Sequence, residues 1–312
     1  MKKMINETAV EGFLYEHTLE QRVTGDNSKN PGTPYIRGTV SIATDSDCSN
    51  VIKVHYTFVT ATTASGKANA TYGVLEKIVN GAYKTVLNDG KENAAMLHID
   101  SAIGLNEFYS DRNGKEELVS AKINNGGFIR VITALNEDEK LRNTFKADMI
   151  ITGVTQYDAD EENGRPAKAV VRGAIFDFRK SLLPVEFTAL NPKAIDYFVD
   201  LNATQAEPVF TKVWGRQMSQ TLVRRIVEES AFGDPDIKEV KTTNREFVIT
   251  GVLPNSYDWD AEDTILASEV SAAMTERETY LATLRARQEE YQASKNKPVA
   301  STPLLSVRLI KN

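Results

Sequence analysis

Aromatic and basic side chains alternate along one stretch of the sequence, residues 209–216. If this stretch is a β-strand, Phe210, Lys212, Trp214 and Arg216 all point to one side of it, because side chains alternate between the two faces of a strand. Flat rings offer stacking surfaces, and the cations between them neutralise anions. This pattern is typical of a groove that holds flat, negatively charged ligands such as nucleotides.

Two further regions show the same combination of residue types. In the first, Tyr35 and Arg37 share the outer face of one strand, and Lys53 and His55 share that of the next. In the second, alternation places Phe176 and Phe178 on the face of Arg172, and Arg179 follows directly. The predicted nucleic-acid-binding residues are therefore Tyr35, Arg37, Lys53, His55, Arg172, Phe176, Phe178, Arg179, Lys212, Trp214 and Arg216.

Catalytic and metal-binding patterns are sparse. The histidines His17, His55 and His98 lie in strand patterns, with no His or Cys partner at metal-ligand spacing. Phosphate-loop, dinucleotide and nucleophile-elbow motifs do not occur. The acidic clusters at residues 137–139 and 158–162 are interpreted as solvated turns. The sequence therefore predicts no catalytic residue, no metal site and no cofactor.

The first part of the chain is predicted to contain three strands, one helix and two more strands. Periodicity places them at residues 10–22, 35–42, 51–60, 68–79 (the helix), 95–109 and 117–132. The same order recurs at residues 146–157, 170–178, 182–190, 193–201 (the helix), 208–218 and 246–252, with an inserted helix at 219–229. The Arg-Gly step of Arg37 and Gly38 recurs as Arg172 and Gly173 at the same place in this order.

Three strands, a helix and two strands is the order of the OB-fold, a five-stranded barrel. We therefore predict a mostly β protein with two tandem OB-fold-like barrels, at residues 1–140 and 141–260, followed by a third region at 261–312. That region starts with a long helix at residues 263–291, which is rich in Ala, Glu, Arg and Leu and lacks Gly and Pro. Residues 294–303 are predicted to form a linker, and residues 304–310 a strand or a docking peptide.

The tandem pattern resembles OB-fold single-stranded DNA-binding proteins of the phage-encoded type. The resemblance is carried by Gly12 with Phe13, residues 36–42, residues 51–58, Gly153, residues 171–178 and residues 209–216. It implies sequence-independent binding of single-stranded DNA in replication or recombination, with a homo-oligomer or replication proteins as further partners. Relatives often finish in an acidic tail that recruits partners, whereas this sequence finishes Val-Arg-Leu-Ile-Lys-Asn.

Charge and hydropathy limit the alternatives. A net charge of −6 argues against a surface coated with basic residues for duplex binding, although a local groove can still be positive. The N-terminal residues show no secretory signal, and no apolar run is long enough for a membrane span, so the expected location is the cytoplasm, or the host cytoplasm for a viral protein.

The main alternative is a viral structural or assembly protein whose aromatic residues form subunit interfaces. An enzyme with a site assembled from scattered carboxylates is a weaker alternative.

Overall fold

The first half of the chain forms six strands and three short helices. The computed structural model describes residues 4–112, 115–160, 165–228, 232, 236–261 and 264–295. In chain order the elements are β1 (Asn6–His17), β2 (Glu20–Val23), β3 (Pro34–Ala43), β4 (Val51–Thr60), α1 (Ala70–Val79), α2 (Val86–Asp89), β5 (Met96–Arg112), β6 (Lys115–Val131) and a 3-10 helix (Glu139–Leu141). Helix α1 begins where the Asn69 side chain accepts a hydrogen bond from the backbone N–H of Thr71, and it ends before Gly81, whose φ is +71°.

The second half repeats the order of the long strands and the main helix, without counterparts of β2, α2 and the 3-10 helix among its described residues, and adds a terminal helix. Its elements are β7 (Asn143–Tyr157), β8 (Lys168–Phe176), β9 (Leu182–Ala189), α3 (Pro192–Asp200), β10 (Val209–Glu228), β11 (Asp236–Val252) and α4 (Ala267–Lys295). Helix α3 has Asn191 as its N-cap and a proline at its first position, where the missing N–H costs least. None of the helices that the structure describes is long and apolar enough to cross a membrane.

The strands of each half close into a ring of hydrogen-bonded neighbours. In the first ring β1 pairs with β3, β3 with β4, β4 with β6, β6 with β5, and β5 again with β1. In the second ring β7, β8, β9, β11 and β10 follow in the same way, and β10 returns to β7. The helices α1 and α3 each connect the third strand of a ring to the fourth. The predicted mostly β class with a C-terminal helix is confirmed, whereas the three domain boundaries stay a prediction.

Strands β1 and β7 join the two rings. They pair antiparallel between residues 6–10 and 143–147, so that one sheet of eleven strands runs through the described part of the chain. Buried apolar residues fill the inside of each ring, among them Leu14 and Val40 in the first and Phe145 and Phe187 in the second. The Arg-Gly step occupies the second long strand of both rings. A Cβ on Gly38 would lie 2.3 Å from the carbonyl oxygen of Thr18, and one on Gly173 would lie 2.0 Å from that of Ile150.

Each ring also sends its last hairpin across the other ring. The hairpin β5–β6 of the first ring places Ile103 in the core cluster of the second. The Nζ of Lys122 on the same hairpin donates to the carbonyl oxygen of Glu186, and burial lowers the pKa of this lysine. In the other direction, the carbonyl and side-chain oxygens of Gln217 on β10 accept hydrogen bonds from the amides of Asn50 and Asn124. These contacts fix the two rings against each other.

Three predicted elements differ in the structure. Residues 219–229 were predicted as a helix, but β10 continues as a strand to Glu228, because its backbone pairs with β11 up to Glu228 and Asp236. A continuous ladder of backbone hydrogen bonds overrides the helix propensity of this segment. The single strand predicted at residues 10–22 is divided into β1 and β2. The last strand, predicted at 246–252, begins ten residues earlier, at Asp236.

Helix α4 confirms the predicted terminal helix from Ala267 onward, and its starting turn and a buried ion pair attach it to the body. Ile265 and Ala273 join a core cluster on the outside of the second ring. Farther along, the guanidinium of Arg277 binds the carboxylate of Glu107 on β5, with N–O distances of 3.1 and 2.5 Å. The predicted start of this helix at residue 263 and the predicted tail element at 304–310 lie outside the described residues.

Candidate nucleic-acid interface

The outer face of β10 presents the alternating residues Lys212, Trp214 and Arg216. Their neighbours Thr211 and Val213 are fully buried, so the alternation predicted from the sequence holds along this strand. On the adjacent strand β7, Lys146 lies directly opposite Trp214, and Thr144 lies opposite Arg216. We call the surface made by Thr144, Lys146, Lys212, Trp214 and Arg216 the β10 face.

The indole ring of Trp214 is held in place from one side. Gly251 on β11 is its direct partner in the ladder, and a Cβ at that glycine would lie 2.3 Å from the indole. The ring therefore lies over the backbone of Gly251, a position that a glycine alone permits. The side chain is half-buried, so one part packs on the strand and the rest is accessible.

The residues opposite two cations of the β10 face are acidic, because Glu7 pairs with Lys146 and Asp148 pairs with Lys212 in the ladders. Among the side chains that the structure describes, however, no carboxylate lies within ion-pair distance of Lys146, Lys212 or Arg216. Lys212, Trp214 and Arg216 therefore form a row in which two cations without an ion pair to the described side chains flank an aromatic ring, on a protein whose net charge is −6. Such a combination can bind phosphates and stack a base between them.

The four predicted residues of the first ring come together on the outer face of β3 and β4. His55 lies opposite Thr39 and Lys53 opposite Ser41, and a polar pocket of about 480 Å³ contains Arg37 and His55. At the end of these strands the ring of Tyr35 lies 4.6 Å from that of Phe58, which is 55% exposed. We call the surface of Tyr35, Arg37, Lys53 and His55 the β3–β4 face.

Charges on the β3–β4 face are partly compensated, unlike those of the β10 face. Arg37 lies 3.8 Å from a carboxylate oxygen of Glu20, and Lys53 lies 3.5 Å from one of Glu16. Burial lowers the pKa of His55, and the positive charges of Lys53 and of Arg245 from β11 lower it further. Burial and, to a lesser degree, these positive charges therefore disfavour the protonated imidazole, and an approaching phosphate would oppose the effect of the charges.

The predicted residues of β8 separate in the structure. Arg172 is exposed, and its guanidinium donates to Glu186 at 2.8 Å and to the hydroxyl of Thr155 at 2.7 Å. Phe176 lies on the same side of the strand, as predicted, but only 1% of it is exposed, because Ile265 and Ala273 cover this part of the ring. Phe176 is therefore a core residue, and its prediction as a stacking surface is wrong.

Phe210 shows the same effect on β10. It points to the side of Lys212, but Tyr257 and Trp259 pack on its ring at 4.8 and 5.6 Å, and 2% of it is exposed. Phe178 lies beyond the end of β8 and is 86% exposed. The guanidinium of Arg179 lies 5.1 Å from the centre of this ring. The aromatic stacking candidates that remain accessible are Tyr35, Phe178 and Trp214.

A family model described as YorF matches residues 5–286 of this sequence. The chain belongs to the YorF family. The match spans both rings and most of α4. A search among curated proteins gives no match for the sequence.

Solved structures similar to the YorF chain include two of the single-stranded DNA-binding protein from Thermus aquaticus. A deletion mutant of that protein aligns with a TM-score of 0.45 and 10% identity, covering 83% of this chain and 98% of the other. The wild-type protein aligns with a TM-score of 0.44 and 10% identity, covering 82% of this chain and 95% of the other.

Three exposed residues with aromatic or basic side chains were not predicted from the sequence. Strict alternation from Lys53 and His55 places Phe58 on the inner face of its strand, but a β-bulge inserts one extra residue between Tyr56 and Val59 and turns it outward. Lys146 belongs to the β10 face through a pairing with a strand 68 positions away, Trp214 being its partner. Phe128 is 76% exposed. A β-bulge opposite Asp100 and Ser101 interrupts the alternation of its strand, so local periodicity does not predict which face Phe128 occupies.

Proposed function

We propose that this YorF protein binds single-stranded DNA without sequence preference, and that the β10 face is its principal contact. The observation that carries the proposal is the row Lys212, Trp214 and Arg216 beside Lys146, in which no cation makes an ion pair with a described carboxylate. An aromatic face stacks on any base, and unpaired cations release counterions when they meet phosphates, so this surface binds strands irrespective of sequence.

The β3–β4 face is proposed as a second contact. Tyr35 offers a stacking ring, Arg37 and His55 line a polar pocket that fits a phosphate group, and Lys53 lies on the same strand face as His55. The ion pairs of Arg37 and Lys53 are exposed, so exchanging a carboxylate for a phosphate there costs little. Arg172 is paired with Glu186 at closer range and is proposed to contribute least. A role in phage replication or recombination stays a prediction from the sequence resemblance.

A fluorescence titration with oligo-dT at two salt concentrations tests this function. The sequence contains two tryptophans, and the Trp259→Phe variant leaves Trp214 as the single reporter while keeping a ring packed on Phe210. We expect oligo-dT to quench this fluorescence and the affinity to fall steeply with salt. Preference for duplex DNA, or binding that ignores salt, would contradict the proposal.

The assembly alternative predicts a different result in the same preparation. A structural protein would form a large, salt-resistant oligomer in sedimentation experiments, and oligo-dT would leave the fluorescence of Trp214 unchanged. The exposed ring pair of Tyr35 and Phe58 is the surface that such an interface would cover. Burial of the Tyr35 and Phe58 rings when the protein self-associates, without DNA binding, would support the assembly alternative.

A further inference from the structure

A cleft of about 730 Å³ lies where the two rings meet, a size within the range of ligand-binding pockets. Its floor is the junction of β1 and β7, where Glu7 pairs with Lys146 and Ala9 pairs with Thr144. The walls come from both halves of the chain. Residues 100–103 and 125–128 contribute from the first ring, and residues 177–178 contribute from the second.

Two unusually exposed phenylalanines border this cleft, one from each half of the chain. Phe128 is 76% exposed and Phe178 is 86% exposed, whereas the aromatic residues of the ring cores are 0–9% exposed. The side chains of Phe128 and Phe178 belong to no core cluster, so packing within the chain does not explain why these phenylalanines are present. Exposed apolar surface of this kind costs solvation free energy, and it is typical of binding sites.

The turn that carries Phe178 is held by its own hydrogen bonds. A side-chain oxygen of Asp177 accepts hydrogen bonds from the backbone N–H groups of Arg179 and Ser181, both at 2.8 Å. The guanidinium of Arg179 lies over one side of the Phe178 ring. The ring is therefore presented with a cation beside it, an arrangement that suits a base followed by its phosphate.

The cleft and the β10 face share two residues. Thr144 and Lys146 line the cleft, and the same two residues lie opposite Arg216 and Trp214 across the β7–β10 ladder. Neighbouring strands in a sheet are about 4.8 Å apart, so the distance from Lys146 to Trp214 is shorter than one nucleotide step of an extended strand. A ligand bound along the β10 face therefore reaches the cleft without leaving the protein surface.

We propose that the cleft receives unstacked bases of the strand that binds the β10 face, with Phe128 and Phe178 as stacking surfaces and Lys146 neutralising the phosphate between the two regions. This inference rests on the proposed function and extends it, because it carries the strand from the second ring to the first. Both purines and pyrimidines fit, since each has a flat face. One molecule then covers a continuous path across both rings.

Two substitutions and a matched control test the cleft. Phe128→Ala and Phe178→Ala should each weaken binding of oligo-dT about fivefold to a hundredfold, the equivalent of losing one stacked base, while thermal unfolding stays near that of the wild type. Phe108→Ala provides the control, because Phe108 is also exposed, at 44%, and lies outside the cleft. It should leave the affinity unchanged.

An abasic oligonucleotide of equal length separates stacking from charge. The two cleft variants should bind this probe as the wild type does, because it offers phosphates but no bases. Wild-type affinity for oligo-dT in both variants, together with weakened binding in Trp214→Ala, would overturn the cleft proposal and leave the proposed function intact. Failure of the wild type to bind oligo-dT at all would overturn the function itself, and the cleft proposal with it.

Discussion

Trp214 and Gly251 face each other across the β10–β11 ladder, and the indole of one lies over the backbone of the other. A ring that covers a glycine in a sheet is a known way of supporting both residues. Here it also fixes the orientation of the ring before any ligand binds. Little side-chain entropy then remains to be lost on binding, so a stacked base retains more of its interaction free energy.

The first prediction concerns the ring itself. Trp214→Ala should weaken single-strand binding by about 1–3 kcal/mol, the usual contribution of one stacked base. Because the side chain is only half-buried, the loss of folding stability should be smaller than the about 3–5 kcal/mol of a fully buried tryptophan. Calorimetric melting and oligo-dT titration measure the two effects separately. A large fall in melting temperature with unchanged binding per folded molecule would show that Trp214 is a core residue.

The second prediction uses Gly251. Gly251→Ala places a methyl group at a point 2.3 Å from the indole, so the ring must move away from the strand. We expect weaker oligo-dT binding and an altered Trp214 emission spectrum, measured in the Trp259→Phe background. Gly153→Ala is the matched control, because Gly153 also lies in a strand and a Cβ there has no neighbour within 4 Å. Equal affinities in the two glycine variants would contradict the role of ring orientation.

The third prediction concerns the unpaired cations. Lys146→Gln and Arg216→Gln should each reduce the slope of log affinity against log salt by about 0.7, the value for one phosphate contact on a single strand. Lys193→Gln, at the exposed start of α3, removes one positive charge elsewhere on the second ring and should leave the slope unchanged. If all three variants changed the slope equally, the effect would come from net charge and not from the β10 face.

Alternation within single strands was predictable from the sequence, and so was the order of the elements apart from the helix predicted at 219–229 and the division of the first strand. Both depend on local periodicity, which places Lys212, Trp214 and Arg216 on one side of β10 whatever the rest of the chain does. The Arg-Gly step was also a sound guide, because both glycines lie where a Cβ would meet a backbone carbonyl of an earlier segment, that of Thr18 or of Ile150. The internal duplication that this step suggests stays a prediction.

Exposure was not predictable, because it depends on segments distant in sequence. Phe176 and Phe178 have the same periodicity, yet Ile265 covers the first and leaves the second exposed. Phe58 lies outside because of a bulge, for which the sequence contains no clear signal. The long strand β10 was mistaken for a helix in part because its stability comes from pairing with β11 rather than from local propensity.

The fourth prediction is a loss of stability in acid caused by two histidines. Burial lowers the pKa of both His55 and His17 in the folded protein below the ordinary value of 6.5. Above that pH both states are neutral, so the free energy of unfolding is unaffected. As the pH falls below about 6.5, the unfolded chain takes up protons first, and stability is lost until the folded-state pKa values are passed.

His55→Gln should therefore lessen the fall in stability between pH 7 and pH 5, measured by urea unfolding, and His17→Gln should do the same to a degree set by its own burial. Single-strand binding distinguishes the two positions. A phosphate at the β3–β4 face favours protonated His55, so the affinity of the wild type should rise as the pH falls, and His55→Gln should flatten this rise. If His17→Gln flattened it equally, the β3–β4 face would not be a contact.

The last prediction concerns the attachment of α4, which no local pattern in the sequence could show. Glu107 and Arg277 are 170 positions apart, and their side chains are 2% and 13% exposed in a two-bond ion pair. Removing one partner leaves the other charge buried, which typically costs about 3–5 kcal/mol. Glu107→Gln should therefore reduce the free energy of unfolding, or release α4 in hydrogen-exchange experiments.

The exposed pair Arg285 and Glu289 on the same helix is the control for this effect. Both side chains are 66% exposed, so Glu289→Gln should change stability by no more than about 0.5 kcal/mol. The double variant Glu107→Leu with Arg277→Met should recover most of the loss, because apolar side chains of similar volume can replace a buried ion pair. Oligo-dT affinity should stay constant throughout, since neither residue lies on the β10 face. A Glu107→Gln protein as stable as Glu289→Gln, with α4 equally protected from exchange, would show that packing around Ile265 and Ala273 alone holds the helix.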